Sequence, residues 1–197
     1  MIIGVPKEIK LQEHRVGLTP ESVQVLVSSG HTILVENNSG FEAGFTNEDY
    51  QKAGAKIINT AKEIFSESEI IVKVKEPQSS EVKMIKENQI IFTYLHLAAA
   101  KELTEGLIKS KSVCIAYETV TDKEGKLPLL APMSAVAGRM SIQAGAHSLE
   151  KNQNGRGIIL GGAPGGEPAN VVILGGGVVG ENAAIIATGM RAKVHVV

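Results

Sequence analysis

The chain has one cysteine, no tryptophan and few other aromatic residues, and each of these shortages excludes a class of protein. Cys114 by itself cannot form an internal disulfide, so we expect a reducing compartment rather than a disulfide-stabilised secreted domain. Aromatic side chains make up 4% of the 197 residues, which is too few for a surface that stacks the bases of single-stranded nucleic acid.

The chain also lacks an excess of positive or negative charge, and it lacks long apolar runs. The formal net charge is -1 and no basic run occurs, so neither nucleic acid nor a membrane is expected as a partner. Glycine, proline or a charged residue interrupts every apolar stretch before it could span a bilayer. No histidines and cysteines have the spacing of metal ligands, so no metal is expected. We therefore expect a cytoplasmic protein.

Short β-type runs alternate with helical segments along most of the chain. The runs lie at 2–5, 31–36, 56–58, 69–75, 89–95, 112–117, 171–174 and 192–197. Such alternation implies βαβ crossovers, so we expect an α/β fold with a Rossmann-like, doubly wound parallel sheet. Prolines near residue 128 precede a long helix rich in small residues. The sequence therefore predicts a catalytic α/β domain at 1–128, a linking helix at 129–152, and the beginning of a second Rossmann domain at 153–197.

A glycine-rich turn follows the predicted strand at 171–174 and fits the pattern G-x-G-x-x-G. Gly175 would permit the tight turn, Gly177 would let the backbone approach a pyrophosphate, and Gly180 would let the helix pack closely. This context predicts a nicotinamide-nucleotide site; the alternative is a structural turn that binds nothing. The ribose-binding carboxylate expected about 20 residues later does not occur, so we expect an incomplete, truncated nucleotide domain.

Three polar residues follow predicted strands, where parallel sheets bind their ligands. Lys75 ends a half-buried strand and would need an anion, although a snorkelling or salt-bridged lysine is the plainer alternative. His96 follows a strongly apolar strand and could be a general acid or base, or a histidine held by backbone in the core. Arg15 could grip a carboxylate at two points, or form a surface pair with Glu13.

The sequence resembles alanine dehydrogenases in segments spread in register over its whole length. The segments are MIIGVPKE at 1–8, EHRV at 13–16, VKVKEP at 72–77, YLHLA at 94–98, AYET at 116–119, LLAPMS at 129–134 and the glycine turn at 175–180. The Lys-Glu-Pro and His-Leu-Ala segments are specific to this family, whereas many dehydrogenases have the glycine turn. A nucleotide-binding α-subunit module of a proton-translocating transhydrogenase stays open as an alternative, as does an inactive remnant.

The resemblance implies an oxidoreductase that interconverts L-alanine with pyruvate and ammonium, using NAD. It implies that Arg15 and Lys75 bind the substrate carboxylate, with Lys75 also close to the keto oxygen. His96 would be the acid and base that moves protons while the imine is hydrated and the carbinolamine collapses. Met133 would line the substrate pocket.

The resemblance also implies how the cofactor is held and which partners the chain has. The implied NAD-binding residues are Ser134, Gly175, Gly177, Val178, Val179 and Gly180. Members of the family form homo-hexamers and are nearly twice as long as this chain. We therefore expect a homo-oligomer or a complementary C-terminal half as partner, and a chain that is inactive by itself.

Overall fold

The structure is a computed structural model that describes all 197 residues. The chain forms two compact units, Met1–Val120 and Thr121–Val197, and each combines parallel strands with helices. The predicted α/β fold is therefore confirmed. The finer division into 1–128, 129–152 and 153–197 stays a prediction.

A six-stranded sheet forms the centre of the first unit. Its strands are β1 (Ile2–Val5), β2 (Thr32–Glu36), β3 (Lys56–Ile58), β4 (Ile70–Val72), β5 (Ile90–Thr93) and β6 (Val113–Ala116). All neighbouring strands are parallel, and their order is β3-β2-β1-β4-β5-β6. This order reverses direction between β1 and β4, which is the switch point of a doubly wound sheet.

The central strands β1, β2 and β4 are buried on both faces, which is why they are apolar throughout rather than alternating. On β2, Ile33 and Val35 belong to one core cluster, and Leu34 between them belongs to the other. Ile71 and Val72 on β4 divide between the two clusters in the same way. Helices therefore cover both faces, as right-handed crossovers require.

Five helices connect these strands, and threonines define the start of three of them. The helices are α1 (Pro20–Ser28), α2 (Asn47–Lys52), α3 (Ala61–Glu67), α4 (Ser79–Val82) and α5 (Lys101–Ser110). The Thr19, Thr46 and Thr60 hydroxyls each accept a hydrogen bond from a backbone N–H in the first helical turn. Short 3₁₀ turns lie at Phe41–Ala43, Leu97–Ala99 and Tyr117–Thr119.

One predicted strand is shorter than the sequence pattern indicated. Strand β4 ends at Val72 instead of continuing to Lys75, because the N–H groups of Val74 and Lys75 donate to the carboxylate of Glu8. Helix α4, which follows, is a single turn that ends at Val82.

The second unit contains a long helix and one βαβ arrangement. Its elements are α6 (Ala131–Ser148), a 3₁₀ turn (Lys151–Gln153), β7 (Asn170–Ile173), α7 (Val178–Gly189) and β8 (Lys193–Val196), with β7 and β8 parallel. Helix α6 packs closely on α7 at Gly138, where an added Cβ would lie 2.2 Å from the carbonyl oxygen of Val179. Small residues on α6 thus permit the close helix contact.

None of the helices combines the length and the apolar character that crossing a bilayer requires.

Candidate functional site

Three of the sequence-predicted residues follow the carboxyl ends of adjacent strands in the first unit. Arg15 follows β1, Lys75 follows β4 and His96 follows β5, and these strands lie side by side at the switch point of the sheet. Ligands of doubly wound sheets bind in the crevice at this point, because the crossovers to opposite faces leave the strand ends uncovered there.

Arg15 is held by Glu13 through two hydrogen bonds. Its Nε donates to Oε1 at 2.8 Å, and its Nη2 donates to Oε2 at 2.6 Å. The hydrogen bonds from Arg15 lower the pKa of Glu13 to about 2, so this carboxyl is ionised at neutral pH. The surface pair considered from the sequence is present, but the Glu13 side chain is only 6% exposed. Both side chains line a polar cavity of about 180 Å³.

Lys75 lies close enough to the same carboxylate for its charge to act on it. The ammonium of Lys75 contributes to the lowered pKa of Glu13, after the larger effects of Arg15. Lys75 is half-buried, and the hydroxyl of Thr93 donates to its carbonyl oxygen at 2.9 Å. The charges of the two cations predicted to bind one substrate carboxylate thus both act on Glu13.

His96 has a strained backbone conformation that Glu118 stabilises. Its φ of 50° and ψ of 38° lie in the left-handed region, which non-glycine residues seldom adopt. The N–H of His96 donates to Oε1 of Glu118 at 2.7 Å, and the N–H of Leu95 donates to the same atom at 3.1 Å. Strain of this kind is concentrated at functional sites, where surrounding contacts maintain it.

Tyr94 connects the imidazole of His96 to the guanidinium of Arg15. Its ring stacks on the His96 ring with centroids 6.2 Å apart, and its edge contact with Tyr117 has centroids 5.0 Å apart. Burial raises the pKa of Tyr94, and the charge of Arg15 acts in the opposite direction. Arg15 thus acts through its charge on both Glu13 and Tyr94, Lys75 acts on Glu13, and His96 stacks on Tyr94.

This arrangement has the chemistry to bind a small carboxylate and to move a proton beside it. Arg15 and Lys75 supply positive charge, and a guanidinium and an ammonium both donate hydrogen bonds to carboxylate oxygens. The imidazole of His96 is exposed, and an imidazole can both accept and donate a proton. The single carboxylate of Glu13 fixes the orientation of the arginine.

The glycine turn of the second unit has the geometry of a phosphate cradle. Gly175 has a φ of 93°, and a Cβ on Gly180 would lie 1.9 Å from the carbonyl oxygen of Gly175, so both positions require glycine. A Cβ on Gly177 would meet no atom within 4 Å. Gly177 is the N-cap of α7, and the first N–H groups of a helix have no intrahelical acceptor.

These residues fit a bound dinucleotide. Gly177 leaves open space above the helix N-terminus, where the helix dipole favours an anion. A cleft of about 1200 Å³ in the second unit is lined by six predicted cofactor-binding residues, namely Ser134, Gly175, Gly177, Val178, Val179 and Gly180. Met133, the neighbour of Ser134 on α6, does not line this cleft.

Sequence reasoning missed three residues of the first-unit site, because each acts on a neighbour rather than on a ligand. Glu118 fixes the backbone of His96, Tyr94 stacks on its ring, and Glu8 accepts from the N–H of Lys75. A signal was available, since all three lie at or just beyond the carboxyl ends of β1, β5 and β6. The position after a strand end, which pointed to His96, would have pointed to these three residues as well.

The chain matches two family models that together cover nearly all of it. "Alanine dehydrogenase/PNT, N-terminal domain" matches residues 4–137, and "Alanine dehydrogenase/PNT, C-terminal domain" matches residues 141–197. The alanine dehydrogenase of Methanococcus maripaludis is 55% identical over 196 residues, which is 100% of this chain and 52% of that protein. The chain therefore spans about half the length of the curated relatives it matches.

Comparison with solved structures also points to alanine dehydrogenases. A structure titled L-alanine dehydrogenase has 54% sequence identity and a TM-score of 0.92, and the match covers 100% of this chain and 54% of that one. A transhydrogenase from Sinorhizobium meliloti has 22% identity and a TM-score of 0.81 over 100% of this chain and 56% of that one, which is a likeness of fold. The resemblance to alanine dehydrogenases is confirmed, and the chain belongs to the alanine dehydrogenase/PNT family.

Proposed function

We propose that the complete gene product carrying this chain is an L-alanine dehydrogenase, which converts L-alanine, NAD⁺ and water to pyruvate, ammonium, NADH and a proton. The observation that carries the proposal is the position of Arg15, Lys75 and His96 after the carboxyl ends of three adjacent strands, with Arg15 held by Glu13 and His96 stacked on Tyr94. This cluster offers cations for a carboxylate and an imidazole for proton transfer at the switch point of the sheet.

Arg15 and Lys75 bind the carboxylate of the substrate in this proposal. Glu13 holds Nε and Nη2 of Arg15 and so fixes the plane of the guanidinium that the substrate meets. Lys75 also donates to the keto oxygen of pyruvate, because a compact ammonium can turn its hydrogens toward more than one acceptor. Met133 contributes an apolar side chain to the substrate pocket.

His96 moves the protons of the hydrolytic half of the reaction. Its imidazole takes a proton from the water that attacks the imine carbon, and later gives a proton to the amino nitrogen that leaves as ammonia. One side chain can do both because an imidazole nitrogen can accept a proton and later donate it. Stacking on Tyr94 and the contact of its N–H with Glu118 hold the ring in place.

The residues of the second-unit cleft hold NAD in this proposal. Bound NAD supplies the acceptor for the hydride that leaves the substrate. Gly177 leaves room for the pyrophosphate, Gly175 and Gly180 shape the turn, and Val178, Val179 and Ser134 line the remaining wall.

The proposal extends to assembly and location on the basis of the resemblance. The resemblance implies a homo-hexamer, so we propose a homo-oligomer whose substrates are small molecules. The single, half-buried Cys114 supports a reducing compartment, and we place the protein in the cytoplasm.

An activity assay on the complete gene product tests the proposal. NADH formation that depends on L-alanine, and NADH oxidation that requires pyruvate and ammonium together, are the expected results. His96→Asn is the informative variant, because asparagine tolerates the left-handed backbone but cannot transfer protons. We expect kcat to fall roughly 100- to 10,000-fold, the usual contribution of general acid–base catalysis, with NADH binding unchanged.

His31→Asn is the matched control, because His31 precedes β2 at the opposite end of the strands. Its kcat should equal that of the wild type. A wild-type protein that binds NADH but does not act on L-alanine would contradict the proposal and favour a nucleotide-binding module. Equal loss of turnover and NADH binding in His96→Asn would assign His96 a structural role.

A further inference from the structure

Glu8 lies between a completely buried lysine and the backbone of Lys75. Its Oε2 accepts a hydrogen bond from Nζ of Lys73 at 3.1 Å. Its Oε1 accepts from the N–H of Val74 at 2.6 Å and from the N–H of Lys75 at 3.3 Å. The side chains of Lys73 and Glu8 are 0% and 3% exposed, so water does not replace these contacts.

Only a carboxylate can make both sets of contacts. Every partner of Glu8 is a donor, and both of its oxygens accept. A glutamine side chain has one acceptor and one NH₂ group. The ammonium of Lys73 takes this single acceptor, because a charged donor forms the stronger hydrogen bond, and the NH₂ group then faces the N–H groups of Val74 and Lys75.

The peptide groups of Lys75 are held on both sides as a result. Glu8 accepts from its N–H, and the hydroxyl of the completely buried Thr93 donates to its carbonyl oxygen at 2.9 Å. Beyond the end of β4 at Val72, hydrogen bonds with the β5 side continue as far as the carbonyl oxygen of Val74, which accepts from the N–H of Tyr94 at 3.3 Å. At Lys75 the contacts with Glu8 and Thr93 take the place of this ladder.

We propose that Glu8 is a positioning residue for Lys75, which sets the direction of the lysine side chain toward the substrate through the backbone. The proposal rests on the function proposed above. It predicts that loss of the Glu8 acceptor weakens the binding of pyruvate, in addition to any loss of stability of the fold.

A purely structural ion cluster is the competing explanation, and Glu81 separates the two. Glu81 pairs with the same ammonium of Lys73 at 2.8 Å, and its other oxygen accepts from the N–H of Gln78 at 2.7 Å. Glu81→Gln therefore introduces the same chemical defect as Glu8→Gln in the same buried cluster. It leaves the backbone contact of Lys75 intact.

The experiment compares Glu8→Gln with Glu81→Gln in the complete gene product. We expect both variants to melt at a lower temperature than the wild type. Only Glu8→Gln should raise KM for pyruvate and lower kcat, by roughly 10- to 100-fold, as a misplacement of about 1 Å does. The dissociation constant of NADH should be the same in both. Equal pyruvate kinetics in the two variants would overturn the proposal.

Glu8→Gln leaves the buried ammonium of Lys73 without one of its charged partners and could therefore fail to fold. A second pair of variants applies in that case. Glu8→Gln/Lys73→Met keeps an acceptor for the backbone of Lys75, and Glu8→Ala/Lys73→Met does not. Both double variants lack the buried ammonium, and the side chain at residue 8 offers an acceptor to the backbone of Lys75 only in the first. We expect KM for pyruvate near the wild-type value in the first and raised about 10-fold or more in the second. Equal values would overturn the proposal.

The wild-type control distinguishes this proposal from the proposed function. A wild-type protein without alanine-dependent NADH formation would overturn both. An active wild type in which Glu8→Gln and Glu81→Gln have the same kinetics would overturn the role of Glu8 alone.

Discussion

The guanidinium of Arg15 donates two hydrogen bonds to the carboxylate of Glu13, two residues before it in the chain, at 2.8 Å from Nε and 2.6 Å from Nη2. Lys75, which follows a different strand, acts on the same carboxylate through its charge. Glu13 therefore neutralises part of a cationic site and fixes the side chain that is expected to bind the substrate.

The first prediction concerns the pH dependence of the Glu13–Arg15 pair. The contact with Arg15 lowers the pKa of Glu13 from 4.5 to about 2, so the native state binds fewer protons than the unfolded state between these values. The stabilisation is thus present above pH 4.5 and is lost as the pH falls toward 2. The ¹³C NMR shift of the Glu13 carboxyl should stay constant from pH 6 down to about pH 3.

The matched measurement is the difference in melting temperature between the wild type and Glu13→Gln. This difference should be constant above about pH 5 and should shrink below about pH 4. Glu124→Gln is the control, because Glu124 is exposed and pairs only with the exposed Lys126. A Glu13 carboxyl that titrates near 4.5 would contradict the pairing.

The second prediction concerns the shape of the cation at residue 15. Arg15→Lys keeps the charge but loses the planar, two-point donor that guanidinium offers. Loss of one charge-assisted hydrogen bond costs about 1.5–3 kcal/mol, so KM for pyruvate should rise roughly 10- to 100-fold. The dissociation constant of NADH should not change.

Arg139→Lys provides the control for this change. Arg139 lies on α6 of the second unit, and its Nε donates to Oδ1 of Asn182 at 3.0 Å. Its replacement should leave KM for pyruvate at the wild-type value. An unchanged KM in Arg15→Lys would remove Arg15 from the substrate site.

The third prediction concerns the carboxylate that holds the backbone of His96. Glu118→Ala leaves the N–H groups of Leu95 and His96 without their acceptor, which costs about 1–3 kcal/mol of unfolding free energy. The left-handed backbone of His96 is then no longer maintained, so kcat should fall about 10-fold or more. Urea unfolding and steady-state kinetics measure the two effects. Glu124→Ala should change neither.

The fourth prediction separates two glycines of the same turn. Gly177→Ala places a methyl group where no protein atom lies within 4 Å, so the melting temperature should not change while the dissociation constant of NADH rises. Gly180→Ala places it 1.9 Å from the carbonyl oxygen of Gly175, and such overpacking costs about 1–3 kcal/mol.

Gly189→Ala is the control for the helix itself. It lies at the last position of α7 with no neighbour within 4 Å, so alanine should be neutral or slightly stabilising. Gly177→Ala with unchanged NADH binding would mean that the turn is structural and does not approach a phosphate.

The sequence by itself determined the alternation of strands and helices, the glycine turn, and the three polar residues after strand ends. These are local properties, because apolar runs, threonine caps and glycines act on their own neighbours in the chain. The start of α1 at Thr19 and Pro20 and the strand at Ile2–Val5 could be read directly in this way.

Only the tertiary structure decided which of these residues meet, and which strand ends early. The contact of Glu8 with Lys73 and Lys75 joins residues more than 60 positions apart, and no local pattern encodes it. The same contact ends β4 at Val72, because a carboxylate from a distant loop takes the N–H groups that a longer strand would have used. The strand order places Arg15, Lys75 and His96 at one edge of the sheet, since that order depends on which crossovers cover which face.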